Sequence, residues 1–420
     1  MASPPVTATV IYRVIQFSKK LQSLDHGKKV IWISLFAVIG VVTVLFAHAA
    51  TSTSSIEPET NTIGGVATKV NDVTASGGQA VQFGTTATTG GVLSIAVSGK
   101  NFVDAKGAVV RLHGANRSGT EYACAQGWGL SDGPLDTASV DAMVPWHINA
   151  VRVPLNEQCW LGINGLPATS GLTASSYQQA ITDYVNLLVS KNIYPILDLH
   201  WTHDGTIRST AQQDMPDRDH APAFWTSVAT TFKANPAVIL DVFNEPYPDG
   251  NSGSTAAWTC WRNGGSCPGF SYTAAGMQEL VTAVRNTGAS NVILLGGLQY
   301  AGNTSQMNTY KPSDPLNQLA ASQHTYDNQY KFCVTTACWD ANYTGVGNMP
   351  YVAGELGDGY CTPDYPNAYM AWADAKGSSY LGWAWNVSDC SGFPAVVTSY
   401  DGTPTAFGAA FKQHYQQQFP

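Results

Sequence analysis

From about residue 91 onward, short runs of β-branched and apolar residues alternate with longer stretches in which polar and apolar positions mix. Short apolar runs bounded by turn residues are typical of strands, and the longer mixed stretches are typical of helices. The alternation therefore predicts parallel βα units. Helices are expected, for example, over 174–191, 221–234, 272–287 and 405–416. The eight predicted strands are 109–116, 149–155, 193–201, 238–246, 292–299, 319–326, 351–357 and 380–386.

Eight alternating units over about 330 residues predict the α/β class and, within it, a (β/α)8 TIM barrel with loop insertions. Residues 91–104 precede the first unit, and we expect them to form a small hairpin that closes the barrel floor. In such barrels the functional site lies at the carboxyl ends of the strands. The position of reactive side chains relative to those ends therefore tests the interpretation.

The first 50 residues are predicted to be a signal peptide or a membrane anchor. A basic region ending at Lys29 precedes a charge-free, mostly apolar run over 30–47, which should place the basic end inside the cell. Ala47 and Ala49 match the small-residue pattern before a signal-peptidase cut, which favours cleavage. The run is also close to the ~18 residues that span a bilayer, so an uncleaved anchor stays open. We expect a protein that is secreted or tethered to the outer face of the membrane.

Residues 51–90 are rich in Thr, Ser, Gly and Ala and carry almost no aromatic residue. Such a segment cannot bury enough apolar surface to fold alone, so we predict a flexible linker without an independent binding domain. The predicted organisation is a targeting segment over 1–50, the linker over 51–90 and the barrel domain over 91–420.

Composition and charge narrow the class of partner. Charged residues make up 12% of the chain, about half of the ~25% that is usual. The net charge is -8 and the pI is about 5.5, so no basic surface is expected for binding nucleic acid. A surface polar through hydroxyl and amide groups suits an extracellular protein that faces a neutral polymer.

All eight cysteines lie beyond the targeting segment, and an even number in an exported chain predicts disulfides. Sequence proximity suggests the pairs Cys260 with Cys267 and Cys333 with Cys338. The other four would then pair as Cys124 with Cys159 and Cys361 with Cys390, one of many formal connectivities. Zinc is the rival interpretation, but the chain has no CxxC and no histidines at finger spacing.

Reactive side chains collect near the carboxyl ends of the predicted strands. Random placement would scatter them over helices and loops, so this convergence is the strongest functional signal in the sequence. The residues are Arg152, His200, Asn244, Glu245, His324, Tyr326, Glu355 and Trp385.

Glu245 and Glu355 are the carboxylates on which the chemistry depends. Cleavage of a glycosidic bond needs a proton donor for the leaving oxygen and an anion on the opposite face of the sugar. We expect Arg152 to lower the pKa of Glu355, and burial together with the charge of Glu355 to raise the pKa of Glu245. A separation of about 5 to 5.5 Å would imply retention of configuration, and about 6.5 to 9.5 Å would imply inversion.

Seven motifs, taken together and in this order, resemble glycoside hydrolase family five, the large cellulase family. The resemblance covers roughly residues 92–416. The motifs are Leu112-His113-Gly114-Ala115-Asn116, Val151-Arg152-Val153-Pro154, Leu197-Asp198-Leu199-His200, Phe243-Asn244-Glu245-Pro246, His324-Thr325-Tyr326, Gly354-Glu355 and Trp383-Ala384-Trp385.

The resemblance implies a role for each matching position. Glu245 would be the acid/base, Glu355 the nucleophile, and Asn244 the partner of the sugar's 2-hydroxyl. Tyr326 and Arg152 would hold the nucleophile. His200 and His324 would line the subsite around the cleaved bond, and Trp385 would form its stacking floor.

The same resemblance favours an endo-acting β-1,4-glucanase of cellulose-type glucans that needs no cofactor. Sister activities on mannan, xylan or β-1,3-glucan stay open. A carbohydrate-binding surface protein that has lost catalysis is disfavoured, because both glutamates and their supporting residues are present. We expect a monomer that contacts the membrane only through an N-terminal anchor.

Other candidates carry a structural alternative. His113 and Asn116 either support the site or simply form hydrogen bonds in the barrel wall. Trp201 and Trp160 are possible subsite aromatics, or they pack in the core.

The acidic residues Asp214, Asp217 and Asp219, with His203 and His220, could suggest a metal site. They lack the fixed spacing of a metal-binding loop. We therefore predict a solvated loop and no metal.

Overall fold

The computed structural model describes residues 67–71, 79–83, 92–327, 333–388, 390 and 393–419. The predicted signal peptide or anchor over 1–50 lies outside them. Across these described ranges, no helix combines the length and apolar character needed to cross a membrane. The chain divides into two compact units, Met1–Thr88 and Thr89–Pro420.

In the first unit, Ala67–Asn71 pairs with Gln79–Phe83 as an antiparallel hairpin. The sequence analysis did not predict these strands within the linker. A two-stranded hairpin alone is marginally stable at best in water. The absence of an independent domain over 51–90 therefore stays a prediction.

The second unit is built on a closed barrel of eight parallel strands in which each strand pairs with its neighbours in sequence and the last pairs with the first. The predicted barrel is confirmed, and each of the eight predicted strands overlaps one barrel strand. The observed strands end earlier than predicted for 238–246, 292–299 and 380–386. The barrel strands, called first to eighth below, are His113–Asn116, Ala150–Asn156, Tyr194–Trp201, Ile239–Asp241, Ile293–Gly296, Leu319–Tyr326, Tyr351–Gly357 and Ser379–Gly382.

The first predicted strand begins too early. Val109–Val110 does not begin the first barrel strand but pairs with Asn101–Val103, which also pairs with Ala96–Ser98. Val109 is 60% exposed, as an edge position of a small sheet allows. A β-branched pair predicts a strand but cannot say which sheet the strand joins.

This small sheet closes the barrel floor, as predicted for 91–104. Ile95 and Phe102 are buried in one cluster with Leu112, Ile196 and Leu294 at the amino-terminal part of the barrel. A separate and larger core fills the space between the strands and the surrounding helices. Apolar packing therefore seals the floor and leaves the carboxyl ends of the strands for polar side chains.

The helices follow the strands and pack around them. Ala174–Ser190 shows the rule: Thr173 and Ser176 form a capping box at its start, and Tyr177, Ile181 and Leu188 make one buried face. The longer helices are Ala174–Ser190, Ala221–Phe232, Thr255–Asn263, Met277–Asn286, Thr336–Gly345, Asp364–Lys376 and Ala406–Gln418. Short helical segments are Ala123–Gln126, Thr137–Asp141, Val144–Trp146, Glu157–Leu161, Ala168–Ser170, Pro248–Asn251 and Met307–Tyr310. Two short antiparallel pairs, Gly264–Gly265 with Ala274–Ala275 and Val397–Ser399 with Thr403–Pro404, lie outside the barrel.

All four predicted disulfides are confirmed. Their cysteines all lie in the segments that follow the carboxyl ends of barrel strands, so the cross-links reinforce the rim of the barrel mouth and not its floor. Two of them join consecutive βα loops, and two close short turns within one loop. The pairs are Cys124–Cys159, Cys260–Cys267, Cys333–Cys338 and Cys361–Cys390.

Candidate active site

A cavity of about 390 Å³ opens at the carboxyl ends of the barrel strands. Six residues that the sequence predicts for the site line it: His200, Asn244, Glu245, His324, Tyr326 and Glu355. Four more residues line it without a role in the sequence analysis: Tyr300, Trp383, Phe393 and Pro394.

Backbone pairing places the two glutamates. Glu355 lies in the seventh strand directly beside His324 of the sixth, where a bulge shifts the register. A side chain at Gly354 would collide with Ser322, so glycine lets these strands approach each other. Beyond the fourth strand, the backbone N–H of Asn244 donates to the Leu199 carbonyl at 3.1 Å. This bond brings the next residue, Glu245, to the same mouth of the barrel.

The Glu355 carboxylate is held from both sides. Arg152 Nη1 donates to its Oε1 at 2.9 Å, and the Tyr326 hydroxyl donates to its Oε2 at 2.5 Å. Only 4% of the Glu355 side chain is exposed. The carboxylate is therefore fixed in one orientation that points into the cavity.

Glu245 faces the same space with more freedom. His324 Nδ1 lies 2.9 Å from Glu245 Oε1 and 3.5 Å from Glu355 Oε2, so the imidazole bridges the two carboxyl groups. One carboxyl oxygen from each glutamate and one ring nitrogen of His324 all lie within 4.8 Å of one another. Glu245 keeps 22% of its side chain exposed, which leaves it accessible to a ligand.

The surroundings of Glu245 and Glu355 act differently on the pKa values of the two carboxyl groups. Burial, then the charge of Glu355, raises the pKa of Glu245 well above its ordinary value. Burial also raises the pKa of Glu355, although Arg152 and the Tyr326 hydroxyl oppose that rise. Arg152 thus acts to lower the pKa of Glu355, as expected, but desolvation outweighs the guanidinium and the net change is upward. Burial lowers the pKa of His324 well below its ordinary value, so its imidazole is neutral.

Arg152 is the charge centre of the site. It is fully buried and contacts Asp241 at 2.9 Å and Asp198 at 3.0 Å in addition to Glu355. Burial alone would lower the pKa of Arg152, but these three carboxyl groups raise it above its ordinary value. Asn116, one of the two uncertain wall residues, accepts from Arg152 at 3.1 Å and donates to the Gly354 carbonyl at 2.9 Å.

The sequence analysis assigned no role to Asp198 or Asp241. Burial raises the pKa of each to about 7. An available signal was an acidic residue inside an otherwise apolar strand, because such a residue needs a buried cation.

A polar chain orients Asn244. Its Oδ1 accepts from Arg152 at 2.8 Å and its Nδ2 donates to Gln212 Oε1 at 2.6 Å. His200 Nε2 lies 3.3 Å from the same Nδ2, and His200 Nδ1 bonds to Asp198 at 2.6 Å. Burial lowers the pKa of His200 to about 4, so this imidazole is also neutral. Sequence gave no signal for Gln212, which comes from the loop after the third strand.

The predicted stacking floor is the wrong tryptophan. Trp385 has no exposed surface and packs edge-on against Trp146, with ring centroids 4.8 Å apart. Trp383 lines the cavity instead, with its ring stacked near His200 at 5.8 Å. The eighth strand ends at Gly382, so strand alternation no longer decides which of the two rings faces the mouth.

Two further predicted residues lie away from the cavity. Trp160 is fully buried between Phe224 and Phe232, so its prediction as a subsite aromatic is wrong. His113 lies at the start of the first strand and stacks on Phe419, with ring centroids 3.7 Å apart. The wall interpretation therefore holds for His113, and a supporting role in the site is wrong.

Trp201 ends the third strand and is half-buried. Its ring lies 5.9 Å from that of Tyr122, which in turn lies 5.9 Å from the 67% exposed Trp128. These three rings make an aromatic row near the mouth. A subsite role for Trp201 stays a prediction.

Known proteins resemble this chain in sequence. The family model described as cellulase, glycosyl hydrolase family 5, matches residues 103–389. Endoglucanase 1 of Robillarda sp. (strain Y-20) is 27% identical over 213 residues, covering 46% of this chain and 50% of that protein. Mannan endo-1,4-beta-mannosidase of Streptomyces lividans is 23% identical over 304 residues, covering 70% and 66%. The chain thus spans between half and two thirds of the length of these two relatives.

Solved structures share the fold. A hyperthermophilic endocellulase from Pyrococcus horikoshii superposes with a TM-score of 0.59 at 18% identity, covering 77% of this chain and 98% of that one. A beta-glucanase from Saccharophagus degradans in complex with cellotetraose gives 0.58 at 20% identity, covering 77% and 93%.

Proposed function

The chain belongs to the cellulase family, glycosyl hydrolase family 5, and is a glycoside hydrolase; from that premise we propose that it cleaves internal β-1,4-glucosidic bonds of cellulose-type glucans with retention of configuration. Glu355 is the proposed nucleophile and Glu245 the proposed acid/base. The proposal rests above all on one observation, namely that one carboxyl oxygen of Glu245 lies within 4.8 Å of one carboxyl oxygen of Glu355, a close approach that favours the narrower of the two known spacings. Retaining enzymes hold their carboxyl groups about 5 to 5.5 Å apart, whereas inverting enzymes leave about 6.5 to 9.5 Å for a water.

In the first step, Glu355 attacks the anomeric carbon while Glu245 protonates the leaving glycosidic oxygen, giving a glycosyl ester on Glu355. The raised pKa of Glu245 keeps its proton available. Arg152 and Tyr326 hold Glu355 in place and stabilise its charge before attack. The proposed roles thus follow the difference in surroundings of the two carboxyl groups.

In the second step, the ester removes the charge of Glu355, and the pKa of Glu245 falls because that charge had helped to raise it. Glu245 then accepts a proton from water, which attacks the anomeric carbon and releases the sugar. His324 Nδ1, which touches both carboxyl groups, would hold Glu245 in place during both steps.

The surroundings of the pair support a polysaccharide substrate. Trp383 and His200 present stacked rings to the cavity, and aromatic faces suit pyranose rings. Asn244, held by Arg152 and Gln212, is the proposed partner of the sugar's 2-hydroxyl. The row of Trp128, Tyr122 and Trp201 is the proposed stacking surface for further sugar units of an internal chain site.

The experiment is sugar release and viscosity loss by the full chain on carboxymethylcellulose, glucomannan, xylan and laminarin. Glu355→Gln and Glu245→Gln are expected to lose most activity with unchanged circular dichroism. Retention is read by proton NMR of the first anomer released from a β-1,4-linked oligosaccharide. An initial α-anomer would refute the retaining mechanism, and near-normal turnover in either variant would refute the assignment of the pair.

Mannanase activity is the second candidate, because the Streptomyces lividans mannosidase matches 70% of this chain. Rapid viscosity loss on glucomannan, accompanied by silence on carboxymethylcellulose, would favour it. Xylanase and β-1,3-glucanase activities are read in the same assay. Binding to all four polymers without any product would return the non-catalytic interpretation.

We also propose the domain organisation of the sequence analysis, with targeting over 1–50, a linker over 51–90 and catalysis over 91–420. Export, with or without cleavage, would place the enzyme outside the cell with its polymer. Mass spectrometry of the mature protein's amino terminus tests this, and size-exclusion chromatography with light scattering tests the proposed monomer.

A further inference from the structure

A second cluster of titratable side chains lies outside the cavity, in the loop after the third strand. One carboxyl oxygen from each of Asp217 and Asp219 and one ring nitrogen of His220 all lie within 4.8 Å of one another. Glu157, from the short helix after the second strand, brings its carboxyl group against that of Asp217. Glu157 and Asp217 have no exposed surface, so the expectation of a fully solvated loop is wrong for Asp217.

The other polar atoms of the cluster are already engaged. Asp217 Oδ1 accepts the His220 amide at 2.8 Å, and Asp219 Oδ2 accepts the Gly205 amide at 3.1 Å. His220 Nε2 lies 2.8 Å from the Gly205 carbonyl and must donate to it. That bond leaves Nδ1 as the ring nitrogen that is open to a cation. Metal-bound histidines commonly donate their second N–H to a backbone carbonyl in this way.

The buried carboxyl groups lack a compensating charge. Asp217 Oδ2 and Glu157 Oε1 are buried without a hydrogen-bond donor. Within the described residues, no ion pair includes Glu157, Asp217 or Asp219, and the adjacent Arg218 pairs with Glu279 at 2.8 Å. Two buried carboxyl groups in contact need either a shared proton or a cation between them.

We propose that Glu157, Asp217, Asp219 and His220 bind one divalent cation of the first transition row, through three carboxylates and one imidazole nitrogen. Carboxylates suit Mn²⁺, and imidazole favours transition ions over Ca²⁺ and Mg²⁺. Asp217 Oδ2 and Glu157 Oε1 are the favoured carboxylate ligand atoms, because both are buried without a hydrogen-bond donor.

The cation would position the loop and take no part in bond cleavage. The four donors tie the loop to the short helix after the second strand. The same loop carries Gln212, which accepts from Asn244 and donates to the Glu245 carbonyl at 2.7 Å. Ordering this loop would therefore support the residue that carries the proposed acid/base.

The test is a titration of Mn²⁺ into the full chain after EDTA treatment and dialysis. Binding is measured by isothermal titration calorimetry and by electron paramagnetic resonance of the free ion. We expect one Mn²⁺ per chain and a higher Tm with Mn²⁺ present. Asp219→Asn and His220→Ala change residues that are not fully buried, so both should fold. Each is expected to weaken Mn²⁺ binding about tenfold or more. The matched control Asp183→Asn, on an exposed helix face, should leave it unchanged.

Absence of saturable Mn²⁺ binding in the wild-type chain would overturn the proposal and leave a shared proton between Glu157 and Asp217. Equal affinity in Asp219→Asn, His220→Ala and the control would overturn it too, since the ion would then bind elsewhere. These readouts are independent of sugar release, so failure of the proposed glycosidase activity would not affect them.

Discussion

The hydroxyl of Tyr326 gives a direct test of how the proposed nucleophile is kept ionised. It donates to Glu355 Oε2 at 2.5 Å. Burial, then Glu355, raises the pKa of Tyr326 well above its ordinary value, so the hydroxyl stays protonated at any working pH. Tyr326→Phe removes this donor and keeps the ring that packs beside Gly357.

The expected magnitude follows from the type of bond. A hydrogen bond to a charged group contributes about 1.5 to 3 kcal/mol, and one pKa unit corresponds to about 1.4 kcal/mol. Loss of the bond disfavours the ionised form, so the pKa of Glu355 should rise by about one to two units. The acid limb of kcat/KM should move to higher pH by the same amount, because that limb reports the essential base of the free enzyme.

The assay is the pH profile of kcat/KM on a soluble β-1,4-linked oligosaccharide. Tyr415→Phe is the matched control, because its hydroxyl donates to the Gly114 carbonyl at 2.8 Å and not to a carboxylate. The control should lose stability without a shift of the acid limb. An acid limb that stays in place in Tyr326→Phe would refute the reasoning, and so would an equal shift in both variants.

Three further predictions test other parts of the structure. Trp383→Ala should raise KM on polymer with little change in Tm, whereas Trp385→Ala should lower the unfolding free energy by about 3 to 5 kcal/mol. Kinetics and urea titration measure the two effects, and the reverse pattern would contradict the assignment of Trp383 to the cavity wall. Replacement of Cys361 and Cys390 by serine should lower the unfolding free energy by about 2 to 4 kcal/mol, measured against wild type under oxidising conditions, and an unchanged value would argue against this bridge. Burial lowers the pKa of His113 from 6.5 to about 4, so between these pH values the unfolded state binds a proton that the folded state does not. The unfolding free energy should therefore fall by up to about 3 kcal/mol as pH drops from 6.5 to 4. The urea midpoint should depend less on pH in His113→Phe than in wild type, and an equal pH dependence would exclude His113 as the cause.

Much of the barrel could be predicted from sequence because its signal is repeated. Eight apolar runs alternate with helical stretches, and a parallel barrel brings all their carboxyl ends to one mouth. Arg152, Glu245 and Glu355 could therefore be placed together although about 200 residues separate the first from the last. Polar residues at strand ends carry this information, since burying them without partners would be costly.

The missed features lie where the chain leaves regular structure or where the partner is remote in sequence. Trp383 and Trp385 follow the end of the eighth strand, so period-two alternation could not tell which ring faces the cavity. Gln212 approaches Asn244 from a loop that has no repeating pattern. Asp241 inside an apolar strand signals a buried cation, but Arg152 lies 89 residues away in sequence, and only the closed barrel identifies it as the partner.

The position of the four cross-links has a practical consequence. Every disulfide joins segments at the mouth, whereas the floor is sealed by apolar packing and by hydrogen bonds such as that from the Val97 amide to Gln318. Reduction of the disulfides should thus leave the barrel core unchanged but alter the conformation of the loops at the mouth. A chain produced in a reducing cytoplasm would then pass a test of secondary structure and still present a poorly defined cleft, so recombinant production calls for an oxidising compartment.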